Sequence, residues 1–576
     1  MRFPSVQAWV LLAPKWLAAF LLFGALGVSA SCNRNKSRAV RRGSPTANEP
    51  RPALVDPGAE VLANASSLPQ PDAVSQDGAL PGGVLRVHID SDPGSLNPLA
   101  DNSLAVTRVT EGLVFESLVQ CARGEVLPGL AESWETSLDG QRLSLKLRAN
   151  VPWHDGRHLS VIDVQATFEP LLRTASKRPL LRAWLRDVEA IEIAADRVVR
   201  FRLLRPSSQI LYSLCEIPVL PAQAENGTAF VKAQLARQPV GTGPFRFAAW
   251  ERGKRIKLVR NDAYTGAFKP WLDQIWFEID SDGARAMTRT KRSQIDILPQ
   301  VLPVHFPDQL EPVALGSVLQ VFRLTPLRFA FVIINTKRDP LSDTRFRWAL
   351  SRLWQRERLA KDLHQGLARA LGGPPLGDRP ATPFDREQAK AALDEAGYGD
   401  LDADGVRDRG GAPLRLSFLH ASGSKIVAKE AHQFALELRR AGILLDVTAL
   451  DPQTLMARLK EGNFDLAPLV WEGAPDEDPR AVFGPDGVFN FGGYRSPQLD
   501  SLFGEWVSAK SATERGAVLN RIGDLLAAET PALFLYRFDS LALVNHRVRG
   551  LGAVGERFDF RRVWLSADRE IPQESP

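Results

Sequence analysis

Between Leu414 and Trp471 the apolar pattern changes period repeatedly, and no other stretch limits the folds open to this chain so tightly. LRLSFLH (414–420) alternates as a strand. Val427, Ala431, Phe434 and Leu438 then recur at helical spacing behind a Ser422 or Ser424 cap. Gly442 ends that helix, ILLDVTAL (443–450) reads as the next strand, and a second helix over 452–461 leads to an apolar strand stopping at Trp471. Such a β-α-β-α-β run predicts a mostly parallel sheet, with ligand contacts beyond the carboxyl ends of its strands.

Trp471 occupies such an end. The loop after it carries Glu472, Asp476, Glu477 and Asp478 between Pro475 and Pro479. An aromatic closing a buried strand and acids on a stiff loop make a candidate cleft wall. The ordinary alternative is a solvated surface turn, and the rest of the chain has to decide between them.

At 576 residues the chain exceeds one hydrophobic core and calls for two to four domains. A net charge of +5 with Arg spread along the sequence argues against nucleic acid as a partner. The three cysteines, Cys32, Cys121 and Cys215, show no zinc spacing; Cys121 and Cys215 could pair in an oxidising compartment, and two separate buried thiols are the favoured expectation. WLAAFLLFGALGV (16–28) is shorter than the ~20 residues that span a bilayer and reads as a secretory signal over 1–31. Val28-Ser-Ala-Ser-Cys32 resembles a bacterial lipoprotein cleavage site with Cys32 lipidated, although Ser29 stands where the usual pattern has Leu. Residues 32–82, rich in Pro, Ala, Ser and Asn, are expected to form a disordered tether with a reach of roughly 40 Å.

After Gly83, VLRVHI (84–89) alternates as a strand and TRVTEGLVFESLVQ (107–120) has helical spacing. LAESWETSLDG (130–140) and LRANVPWHDGRHLSVIDVQATF (147–168) read as a hairpin turned at Asp139-Gly140, a second turn at His154-Asp155-Gly156, and a helix from Ser160. Together these two segments resemble the signature of the family 5 extracytoplasmic solute-binding proteins, the dipeptide, oligopeptide and nickel receptors of ABC importers. VGTGPFRF with Asn261 and Tyr264, the Asn335–Arg356 segment, Tyr494, Asp500 and TPALFLY (530–536) continue the resemblance. In the Asn335–Arg356 segment, Leu353-Trp354-Gln355-Arg356 replaces the usual Ala-Ile-Asp-Arg.

The resemblance implies an α/β, two-lobed periplasmic-binding-protein-like fold with a hinge and an extra α+β subdomain. Lobe I would span 83–320, with the subdomain at about 95–205, and would be completed by 534–576; lobe II would span 321–533. Hinge strands are expected near 318–331 and 532–537. It further implies capture of a peptide or peptide-like solute, delivery to ABC permease subunits, membrane attachment through the lipid anchor, and a monomer without cofactor, metal or catalysis. An envelope sensor or factor without a transporter is the alternative. In peptide-binding relatives an amine-binding Asp follows the terminal aromatic by three residues. Here that position is Ala474, which leaves Asp476, with Glu472 or Glu477, as the nearest substitute, and Trp471 is expected to line the cleft as a ligand contact.

Other motifs point to structure. His154 and His158 are separated by a turn and share no helix face. Asp400–Gly411 has acids at calcium-loop positions 1, 3, 5 and 9 but Gly411 at position 12, and reads as an acidic turn. Ser422-Gly-Ser-Lys425 lacks the Lys-Thr-Gly partner of penicillin-recognising enzymes.

Overall fold

The computed structural model describes residues 57–69, 75–101, 103–122, 125–173, 179–377, 379–473, 479–509, 511–554 and 557–566. The signal and Cys32 lie outside them. β1 (Ser66–Ser67) and β2 (Val84–Ile89) precede a hairpin of β3 (Val119–Ala122) and β4 (Glu125–Pro128). β5 (Ala131–Thr136), β6 (Arg142–Leu147), β7 (Val188–Ala195) and β8 (Val198–Leu203) form an antiparallel sheet ordered β5-β6-β8-β7. Gly140 makes the β5–β6 turn at φ +69°, and Asp139 accepts the Gln141 N–H. The helix Val161–Leu172 starts at Ser160, whose N–H donates to Asp163 in a capping box.

β9 (Phe245–Glu251), β10 (Arg255–Arg260), β11 (Gln274–Ile279), β12 (Ile297–Leu298) and β13 (Leu319–Leu324) join β1, β2 and the late strand β22 (Ser540–Asn545) in an eight-stranded sheet. This sheet and the β5–β8 sheet share one core: Val87, Leu258 and Phe277 belong to the same buried cluster as Leu145, Phe168 and Phe201. The inserted subdomain therefore rides on lobe I.

Lobe II is a six-stranded sheet ordered β15-β21-β14-β20-β18-β19, with β14 (Leu327–Ile334), β15 (Ala368–Ala370), β18 (Arg415–Ala421), β19 (Leu444–Leu450), β20 (Leu466–Gly473) and β21 (Ala532–Phe538). A short hairpin, β16 (Asp408–Arg409) and β17 (Ala412–Pro413), closes the acidic turn. Along β14 alternate residues feed separate cores, Val332 and Ile334 on one face and Phe331 and Ile333 on the other. The mostly parallel sheet expected from the sequence is mixed. β18 pairs in parallel with β19 and β20, whereas β14 and β21, which arrive from and return to lobe I, run antiparallel to their neighbours.

Three further expectations are revised. The helix expected over 107–120 spans Leu104–Thr110 and stops before Gly112, whose φ is +67°; Val109, Leu113, Val114 and Leu118 are buried all the same. Cys121 and Cys215, expected as separate thiols, are disulfide-bonded with Cα atoms 5.7 Å apart. The two cysteines are 94 positions apart, and what selects pairing over separate thiols is the fold that sets β3 beside the helix Gln209–Cys215. Part of the expected tether is built into the body. Pro57–Asn64 is helical, Val61 is 4% exposed against Met287, Leu319 and Leu541, and β1 adds in parallel to β13. One short apolar pair, Val61-Leu62, was too weak a signal amid Pro and Ala.

Candidate functional site at the meeting of the lobes

The chain crosses between lobes twice, at Thr325-Pro326 between β13 and β14 and at Asp539 between β21 and β22, each about five residues after the boundaries expected at 320/321 and 533/534, because β13 runs to Leu324 in the lobe I sheet and β21 to Phe538 in the lobe II sheet. β13 pairs with β22 and β14 with β21, so the crossings lie side by side. The Asp539 carboxylate is fully buried and accepts Nε–H bonds from Arg323 of lobe I (2.9 Å) and Arg369 of lobe II (3.0 Å). One acid thus bridges both bodies at the hinge.

β20 ends beside this point, because its antiparallel register with β14 sets Gly473 opposite Leu327 and Trp471 opposite Phe329. Trp471 is 6% exposed, within the apolar cluster of Phe329 and Phe331, and meets Phe489 edge-on at 5.7 Å between centroids. Its ring backs the strand end from the core side. Glu472 lies in β20 in register with Arg328, and its side chain, like the whole of Asp476, lies outside the described residues.

A second meeting point lies between the subdomain and lobe II, and sequence reasoning missed it. Arg480 approaches Asp187 at 3.4 Å. Both Ser208 donors, N–H at 2.7 Å and Oγ–H at 3.0 Å, reach the Val507 carbonyl. Arg515 donates to Gln209 Oε1 at 2.7 Å and covers the Tyr212 and Trp506 rings at 4.0 and 4.6 Å. Asp187, Gln209, Arg480 and Arg515 are all buried. The partners are about 300 positions apart in the chain, and no local pattern announces such pairs.

The motif residues make contacts within the scaffold. Gly241 and Gly243 pass so close to Val114 and Leu113 that a Cβ would come within 1.7 and 2.2 Å of their carbonyl oxygens. Thr242 and Tyr264 donate hydroxyls to Glu116 at 2.9 Å each, and burial pushes the Glu116 carboxyl and the Tyr264 phenol up. His154 accepts from Gly241 N–H through Nδ1 (3.2 Å) and donates to the Gly243 carbonyl through Nε2 (3.0 Å), while burial lowers its pKa to about 4. In the acidic turn the carboxylates of Asp400, Asp404 and Asp408 accept backbone N–H groups, and Ser424 caps the helix Lys425–Arg440. Trp354, the departure from the family pattern, donates to Tyr536 Oη at 2.9 Å and packs on Phe434.

Residues 125–487 match the family described as bacterial extracellular solute-binding proteins, family 5. The chain is a family 5 solute-binding protein. It is 26% identical over 526 residues to the probable di/tripeptide-binding protein 5 of Pseudomonas aeruginosa, covering 83% of this solute-binding protein and 95% of that relative. Its fold matches the oligopeptide-binding protein AppA from Bacillus subtilis in complex with a nonapeptide (TM-score 0.66, 21% identity, 85% and 100% of the two chains). It also matches NikA from Brucella suis in complex with Fe(III)-EDTA (TM-score 0.70, 23% identity, 84% and 100%). Among the described residues no helix of this family 5 protein is long and apolar enough to cross a membrane.

Proposed function

We propose that this protein captures a peptide or peptide-like solute between its lobes and delivers it to the membrane permease of an ABC importer, held near the membrane by a lipid on Cys32. The carrying observation is two separately cored bodies joined by two adjacent strand crossings, the construction that hinge closure uses. The peptide-binding names of relatives support the solute class. In this reading Trp471 backs the cleft, and Asp476 or Glu472 takes the solute's ammonium through a charge-assisted hydrogen bond in a desolvated site. The peptide backbone is held by strand-like hydrogen bonds, and no covalent bond changes.

The test is thermal unfolding with a panel of di-, tri- and nonapeptides, followed by analysis of the peptides. A binding peptide at 100 times its Kd stabilises by about 2.7 kcal/mol and is recovered intact, and Asp476→Ala weakens it. Cleaved peptides, or no stabilisation across the panel, would overturn the proposal.

A further inference from the structure

We propose that the inserted β5–β8 subdomain is a clasp that holds the lobes closed. Asp187, just before β7, and Ser208 and Gln209, which follow β8, act on its lobe I side, and Arg480, the Val507 carbonyl and Arg515 on lobe II. The inference rests on the hinge reading for what moves, while its test needs no solute.

The subdomain shares its core with the eight-stranded sheet, so it cannot shift independently of lobe I. Val507, Val518 and Ile522 belong to a lobe II core, which fixes the other half of the contact to the other body. Beyond the two crossings, these contacts are a third mechanical link, and opening the hinge on this side must break them.

Their chemistry suits a reversible contact. Val507 lies in the last turn of the helix Pro497–Ser508, where carbonyls have no partner within the helix, and Ser208 supplies two donors from the opposite lobe. Water can replace both when the lobes part. Asp187 keeps Arg205 at 2.8 Å and Ser207 at 3.1 Å on its own side, so it is not stranded when Arg480 withdraws. An apolar seam of the same extent would expose a sticky surface on opening, whereas this one exposes groups that hydrate readily.

The lobe I arm of the clasp is pinned. Ser208 and Gln209 begin the helix Gln209–Cys215, and the Cys121–Cys215 disulfide ties the end of that helix to β3. The bond holds the clasp residues in register with lobe II.

The experiment is pulsed EPR distance measurement on the solute-free full chain, in a Cys32→Ser background with spin labels at Leu138→Cys and Leu401→Cys. These positions are 111% and 73% exposed, one on each body. The expected result is a dominant closed distance that loses at least tenfold in closed-to-open ratio in Arg480→Met/Arg515→Met. Should that variant fold poorly, Ser208→Pro removes the donors from the other side, and the Ser208 φ of −73° already suits proline. Cores intact by circular dichroism with an unchanged distance distribution would overturn the clasp. A wild-type distribution indistinguishable from that of the variants would do the same.

Discussion

Replacing Asp539 with Asn removes one negative charge from the hinge while keeping the side chain's size. The carboxylate is fully buried and takes hydrogen bonds from Arg323 and Arg369, whose side chains are 25% and 53% exposed. Arg537, its pKa lowered by burial, is also stabilised by this carboxylate. Breaking a buried pair costs about 3–5 kcal/mol, and the solvent reach of Arg369 trims that to about 2–4 kcal/mol. For a body of about 200 residues this lowers the unfolding midpoint by about 5–10 °C. Because Asp539 holds one Arg from each body, the variant should also separate the calorimetric transitions of the two lobes. A double-mutant cycle with Arg323→Met should give a coupling of about 1–3 kcal/mol. An unchanged midpoint together with zero coupling would refute the view that this acid joins the lobes.

Removing the disulfide with Cys121→Ser/Cys215→Ser, a closure of 94 residues, should cost about 3–5 kcal/mol in urea unfolding, and a loss below 1 kcal/mol would count against it as a staple. His154 is held neutral in the fold, so the unfolded chain takes up a proton first as pH falls from its ordinary 6.5 toward about 4. Its contribution is complete above pH 6.5 and lost through that window, about 2–3 kcal/mol between pH 7 and 4.5, somewhat less because the ring is only half-buried. Urea unfolding of His154→Gln should show a correspondingly shallower pH dependence, and an identical slope would contradict the assignment. Gly241→Ala drives a methyl against the Val114 carbonyl and should leave little folded protein, read as soluble yield and circular dichroism; wild-type yield and stability would show that the two segments can separate.

Much of lobe II was legible because its strands and helices switch period cleanly between Leu414 and Trp471. Turn chemistry located the Asp139-Gly140 reversal and the helix start near Ser160 for the same local reason, and it narrowed the cap of the helix Lys425–Arg440 to Ser422 or Ser424, of which the fold uses Ser424. Sheet direction was less accessible, since the antiparallel partners of β20 and β21 depend on a chain path through the other lobe. The disulfide, the Asp539 bridge and the Arg480 and Arg515 contacts join residues roughly 100 to 300 positions apart, and neither half alone carries a local pattern that names its partner. Trp471 shows the limit from the other direction. Its place at a strand end was readable, but the burial of its ring among Phe329, Phe331 and Phe489 followed only from neighbours distant in sequence.

The central claim is that a small solute is held between the lobes and left chemically unchanged. Mass spectrometry of material released from the purified protein by gentle denaturation tests it most directly. The account predicts stoichiometric recovery of short, intact peptides, depleted in Asp476→Ala. A metal chelate or oligosaccharide in their place, or peptides equally abundant in that variant, would contradict it.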